Sequence, residues 1–164
     1  MYINTKKEES HPMKNLRKQI RKALPKNITD QEWEALACQP CVISKKRSTI
    51  ATVDHFIPLI WGHGGDVKGN LYPLGRELNK LKSSHNPFRW INRKEIQPLI
   101  DRKRWDELVH ALAAENGLTV KEFTQYVHWC EKHPRSFEEV EADPRPSLEI
   151  WKEAKGAATV EIPE

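Results

Sequence analysis

A chain of 164 residues, 38% hydrophobic and 30% charged, is long enough for one modest core with flanking arms. It has no run of about 18 apolar residues, which argues against a transmembrane helix, and its first residues, MYINTKKEESHPMKNLRKQ, lack the apolar core of a secretory signal. Its three cysteines, an odd number, are read as cytosolic thiols or the remnant of a metal site rather than a disulfide framework, so a cytoplasmic location is expected.

The net charge of +4 conceals an uneven distribution. Residues 1–26 hold eight Lys or Arg against two acids, and residues 27–37 hold three acids and no base. Residues 38–104 hold thirteen bases against five acids, whereas residues 105–164 hold six against thirteen. A basic body with an acidic tail suits a phosphate backbone as partner. Charge runs also serve as solvated faces.

In chain order, residues 1–11 are expected to be disordered. Pro12 can open a helix whose stripe is Met13, Leu16, Ile20 and Leu24, surrounded by Lys14, Arg17, Lys18, Arg21 and Lys22 and closed by Pro25. Such a helix could lie on DNA or pack its stripe on the domain. Thr29-Asp30-Gln31-Glu32 is a capping box that starts a short helix and delivers the chain to Cys38-Gln39-Pro40-Cys41. Lys45-Lys46-Arg47 turns into a β-prone run, Thr49-Ile50-Ala51-Thr52-Val53, that ends at Asp54-His55. Pro58 and Gly62-His63-Gly64-Gly65 require a loop. A second β-prone run, Asn70-Leu71-Tyr72-Pro73-Leu74, precedes Arg76-Glu77-Leu78-Asn79-Lys80-Leu81-Lys82, which is rich in helix formers. The order is strand, loop, strand, helix.

The polar residues of this unit carry the chemistry. Neighbours on a strand point to opposite faces, so Asp54 and His55 cannot share one task; one can hold a metal while the other faces a substrate. Asp and Asn supply hard oxygen ligands suited to Mg²⁺ or Mn²⁺, and a His can accept a proton near neutral pH. Taken singly, an Asp-His pair is more often a satisfied polar pair, and Asn70 or Gly64-Gly65 a turn.

Taken in order, Asp54-His55-x-x-Pro58-Leu59, Gly64-Gly65, Asn70-Leu71-x-Pro73-Leu74 and Asn79-x-x-Lys82 resemble the HNH endonuclease family, in a variant with Asn at the last signature position. The motif and its flanks cover residues 38 to about 90. The resemblance implies an α+β protein built on a ββα-metal finger that hydrolyses DNA phosphodiester bonds and leaves 5′-phosphate and 3′-hydroxyl ends. It implies His55 as general base, Asp54 and Asn79 as ligands of one Mg²⁺ or Mn²⁺ ion, Asn70 as the residue that braces the loop and orients His55, and Lys82 as a phosphate contact. Lys80, Arg76, Lys45, Lys46, Arg47 and Arg89 are the further candidate nucleic-acid contacts. A CxxC knuckle such as Cys38–Cys41 pairs in many members with a second CxxC to bind structural Zn²⁺; here Gly75 and Leu78 stand at those positions, so structural zinc is not expected unless His63 or Cys130 completes a site. Small stand-alone enzymes of this type resemble those of phages and mobile elements. The alternative readings are a DNA-binding module without turnover and a packaging-associated factor whose acidic tail engages a partner.

Three units are expected: a basic helical arm over 1–37, the nuclease finger over 38–92 and a helical region with an acidic tail over 93–164. In the last, Asn92 is expected to cap a short helix that Pro98 interrupts or opens again. Trp105, Leu108, Val109 and Leu112 recur at helical spacing and end near Gly117. Thr119–Glu122 and Ser136–Glu139 are further capping boxes, and Leu148, Ile150 and Trp151 mark a last short helix. Trp61, Phe88 and Trp90 are expected to pack in the core. His128, Cys130 and His133 have metal-ligand types but uneven helical spacing, and packing or surface roles are assigned to them.

Overall fold

The computed structural model describes residues 11–46 and 50–160; the expected disorder of residues 1–10 and the position of Arg47 lie outside them. The described chain is α+β, with eight α-helices and one two-stranded sheet. Helices α1 (His11–Ala23) and α2 (Asp30–Ala37) precede strand β1 (Ala51–His55). A long loop leads to β2 (Leu71–Gly75) and directly into α3 (Arg76–Lys82). Then come α4 (Pro87–Trp90), α5 (Arg102–Glu115), α6 (Val120–Lys132), α7 (Phe137–Ala142) and α8 (Ser147–Val160).

The strand–loop–strand–helix order is as the sequence implies. β1 and β2 are antiparallel, with Ala51 opposite Gly75 and His55 opposite Leu71. Asp54 and His55 lie inside β1, and Asn70 sits in a 3₁₀ turn just before β2. Thr29, Thr119 and Ser136 each cap a helix by accepting from the amide of the glutamate three residues on, whose carboxylate accepts in return from the cap residue's own amide; each such cap is worth about 1 kcal/mol.

The details at several helix ends differ from expectation. Asn86, not Asn92, is the cap after α3, accepting from the Phe88 amide with Pro87 at the first helical position. Pro98 does open a new element, as one of the two alternatives for it had it, but residues 97–99 form only a 3₁₀ turn. Asp101 starts α5 by accepting from the Arg104 amide. The last helix is fourteen residues long rather than short. His11, expected to be disordered, is the first residue of α1.

Phe56, directly after β1, is the hub of the core. Its ring lies 5.3–5.8 Å from those of Tyr72, Phe88, Trp105 and Phe123, within the range of favourable aromatic pairs. Trp61 and Trp90 are buried in the same cluster. A smaller cluster joins Ile20 of α1 and Leu24 just after it to Leu59 and to Val140 of α7. The arm's stripe therefore packs on the domain, although Met13 at its start remains 43% exposed.

The loop between the strands is clamped from two sides. The Asn27 amide donates to the Asp66 carbonyl and the Asp66 amide to the Pro25 carbonyl. A Cβ on Gly65, whose φ is +86°, would sit 2.5 Å from the Pro25 carbonyl oxygen, so only glycine permits this approach. From the other side, the His63 ring bonds Ser147 Oγ at 2.9 Å and the His133 carbonyl at 2.6 Å.

A candidate active site at the end of β1

The antiparallel pair and α3 bring the signature residues to one place by short-range geometry. Thr52 and Asp54, two apart on β1, share a face. Three residues apart on α3, Asn79 and Lys82 share another. The two faces meet: Asn79 Nδ2 donates to Thr52 Oγ1 at 2.9 Å, and Lys82 Nζ lies 2.8 Å from Asp54 Oδ2. Next to this seam is a cavity of about 530 Å³ lined by Thr52, Asp54, His55, Pro58, Asn79 and Ser83, with Arg17, Arg76 and Lys80 among its other walls. Three cationic side chains face one carboxylate there. Ser83, which ends α3, has φ 48°, a costly conformation outside glycine that tends to occur at functional sites.

His55 is only slightly exposed and is fixed by residues from elsewhere in the chain. Its Nε2 lies 2.7 Å from Asp66 Oδ1, and Arg21 Nε donates to Asp66 Oδ2 at 2.8 Å. Burial pushes the Asp66 carboxyl up, but hydrogen bonds from His55 and Arg21 outweigh it and hold the group below its ordinary value. An ionised carboxylate only accepts, so Nε2 carries the proton and Nδ1 keeps its lone pair in the neutral ring. The Arg21 guanidinium also lies 4.8 Å over the Trp33 ring, which stands 6.2 Å from that of His55.

Asn70 is buried behind the site. Its Oδ1 accepts from the Ile57 amide at 2.7 Å, and its Nδ2 donates to the Ile57 and Gly65 carbonyls. It therefore braces the loop, while the direct contact that orients the His55 ring comes from Asp66. Lys82 departs most from expectation. It is fully buried, paired with Asp54 and donating to the His55 carbonyl, so its ammonium faces the protein and not a phosphate. Tyr72 Oη also donates to Asp54 Oδ2; burial first, then the Asp54 charge, raises the Tyr72 phenol well above its ordinary value and keeps it a donor.

Asp54 and His55 do have separate partners, as strand alternation requires, yet both reach the cavity. Arg76 and Lys80 line it. Lys45 and Lys46 are exposed on the segment before β1 and are not among its walls. Arg89, on α4, pairs with Glu131 of α6, also apart from the cavity.

For a hard cation, the relevant atoms are the second carboxylate oxygen of Asp54 and the carbonyl oxygen of Asn79, whose amide nitrogen is already committed to Thr52. Two oxygen ligands fit a Mg²⁺-like ion, which keeps most of its waters. No group of three or more His, Cys, Asp or Glu that could hold a metal occurs among the described residues. Cys38 is exposed at the end of α2 and Cys41 is buried in the core. His63 has both ring nitrogens engaged by Ser147 and His133, and Cys130 is buried beside Tyr126, its thiol pushed up out of the ordinary range by burial.

The residues that sequence reasoning missed are Asp66, Arg21, Trp33 and Arg17 as members of this site. Asp66 had a signal, a carboxylate right after the Gly-Gly pair that a catalytic His would need as partner; the others come from the arm and α2 and had none. Comparison with protein-family models, curated proteins and solved structures finds no match.

Proposed function

We propose that this protein is a divalent-metal-dependent endonuclease of the HNH type, built on a ββα-metal finger and acting on DNA phosphodiester bonds. The observation that carries the reading is the single cavity in which His55, held by Asp66, meets the oxygen donors Asp54 and Asn79 and the cations Arg17, Arg76 and Lys80. His55 Nδ1 accepts a proton from the attacking water, while Asp66 holds the ring and stabilises the imidazolium that forms. Arg17, Arg76 and Lys80 take the phosphate backbone. Asp54 and Asn79 would hold Mg²⁺ or Mn²⁺, which when bound supplies charge stabilisation at the phosphate and the leaving oxygen. Asn70 keeps the loop in register with the strand end.

One observation favours a second reading, a DNA-binding module without turnover: one oxygen of Asp54 is already spent on Lys82 and Tyr72. Nicking of supercoiled plasmid in Mg²⁺ or Mn²⁺ decides between them. The nuclease reading requires cleavage by the wild type and a loss of about 10²–10⁴ in rate for His55→Ala, with DNA affinity retained. Equal cleavage by the two, or none by the wild type with either metal, refutes it. No helix among the described residues is long and apolar enough to cross a membrane.

A further inference from the structure

A second concave surface lies between α6 and α8, outside the His55 site. It has a volume of about 520 Å³, a size typical of ligand clefts. Helical spacing builds it: Gln125, His128, Trp129 and Lys132 fall on one face of α6, and Trp151, Ala154, Lys155 and Ala158 on one face of α8, with His133 at the end of α6. The two alanines leave the groove open where larger side chains would close it.

Its chemistry is selective. Among the described residues, every titratable side chain that lines it is a base: His128, Lys132, His133 and Lys155. The rest of the lining is mostly aromatic or apolar. Trp129 and His133 are stacked, with ring centroids 4.7 Å apart and planes 23° from parallel. His133 is exposed, so a third flat ring can extend the stack. Lys155 Nζ lies 5.1 Å from the centre of the Trp151 ring and 3.9 Å from Glu122 Oε1 outside the groove, and Glu131 acts on His128 from outside it as well.

An aromatic stack beside ammonium groups, with no acid among the described lining residues, matches a ligand that has flat rings and phosphates in alternation. We propose that the α6–α8 groove binds a single-stranded nucleic-acid segment, with an unpaired base stacked on His133 and Trp129 and its phosphates against Lys132 and Lys155. Base–aromatic stacking does not depend on sequence, so the groove adds affinity without a recognition site. An acidic peptide would satisfy the lysines but leave the stack unused. The proposal does not rest on catalysis at His55.

The test uses the full chain in EDTA, so that cleavage cannot intervene, with a labelled oligothymidine of about 12 nucleotides, a duplex of equal length and a polyglutamate peptide. Fluorescence anisotropy should show oligothymidine binding that Trp129→Ala weakens by about 10-fold or more and Lys132→Glu weakens with a shallower salt dependence, while duplex affinity at the His55 cavity is unchanged. Trp129 is half-buried, so its loss could disturb folding; His133→Ala and Lys132→Glu alter exposed side chains and decide the matter in that case. Oligothymidine affinity equal in wild type, His133→Ala and Lys132→Glu overturns the proposal. So do parallel losses of duplex affinity, or polyglutamate binding as tight as that of oligothymidine.

Discussion

Replacing Asp66 by Asn removes one charge and hardly changes shape, yet the geometry makes it a severe change. Arg21 has only donors, so an Asn at 66 must turn its oxygen toward Arg21 Nε, which now donates to Oδ2 at 2.8 Å. The amide NH₂ then occupies the place of Oδ1, 2.7 Å from His55 Nε2. Two donors cannot face each other, so His55 gives up its Nε2 proton and carries it on Nδ1. The nitrogen assigned to accept from water is blocked. A general base in the wrong tautomer forfeits about 10²–10⁴ in rate, and losing the charge-assisted bond to the slightly exposed His55 costs about 1.5–3 kcal/mol of stability. The bond to Arg21, whose side chain is 43% exposed, adds less than about 1 kcal/mol. Removing Arg21 as well frees the Asn to rotate and accept from Nε2. Asp66→Asn combined with Arg21→Gln should therefore cleave plasmid faster than Asp66→Asn alone, and ¹⁵N NMR of the imidazole should show the proton return to Nε2. A double variant no faster than the single one, or an unchanged tautomer in Asp66→Asn, refutes the reasoning.

Lys82→Met should lower stability by about 3–5 kcal/mol, read from urea denaturation, because it leaves Asp54 buried without its counter-ion; a change below about 1 kcal/mol would mean that water reaches Asp54 freely. Gly64→Ala should cost about 1–3 kcal/mol, since φ is +78° and the new Cβ would lie 2.4 Å from Asn70 Nδ2; an unchanged urea midpoint would show that Asn70 is not held as described. His63, buried against Ser147 and the His133 carbonyl, has its pKa pushed down to about 4 by burial. The unfolded chain then takes up this proton more readily than the folded one, so the contribution is complete above about pH 6.5 and is lost as pH falls toward about 4, by about 3 kcal/mol. Melting curves of wild type and His63→Asn across that window should converge at low pH, and parallel curves would contradict this.

The sequence made the local unit legible because its determinants are local. β-branched residues over 49–53, the Gly-rich loop and the Pro-free stretch 76–82 each act within a few residues, and the capping boxes at Thr29, Thr119 and Ser136 satisfy helix-end amides within four. What joins His55 to its surroundings acts over long separations. Asp66 is 11 residues away and Arg21 lies 45 residues before Asp66, and no periodicity encodes such a meeting. The arm could not be assigned for the same reason: one face of α1 is apolar and the other basic, and only the structure shows Ile20 and Leu24 packed while Arg17 lines the cavity. Lys82 misled because Lys is so rarely fully buried; its spacing from Asn79 marks a helix face, and that face points at Asp54 rather than at solvent.

The burial of Lys82 has a consequence for how the proposed metal and DNA bind. One oxygen of Asp54 already faces an ammonium at 2.8 Å and the Tyr72 hydroxyl at 2.9 Å, and Asn79 is neutral. These two ligands therefore offer a divalent cation little net negative charge, and Arg76 on the wall of the same cavity repels it, with a smaller share from Lys80, which is paired with Glu77. A DNA phosphate entering the cavity reverses that balance, since it neutralises the cations and adds oxygen ligands of its own. Metal and DNA should thus bind with positive coupling, and linkage requires each to raise the other's affinity by the same factor, typically 5–150-fold, or about 1–3 kcal/mol. Titration calorimetry of Mg²⁺ into His55→Ala, which binds but does not cut on this reading, should give weak affinity alone and markedly tighter affinity with a saturating short duplex. The same variant titrated with duplex should bind more tightly in Mg²⁺ than in EDTA, by a matching factor. Mg²⁺ affinity that is independent of DNA would mean that Asp54 and Asn79 do not share their ion with the phosphate.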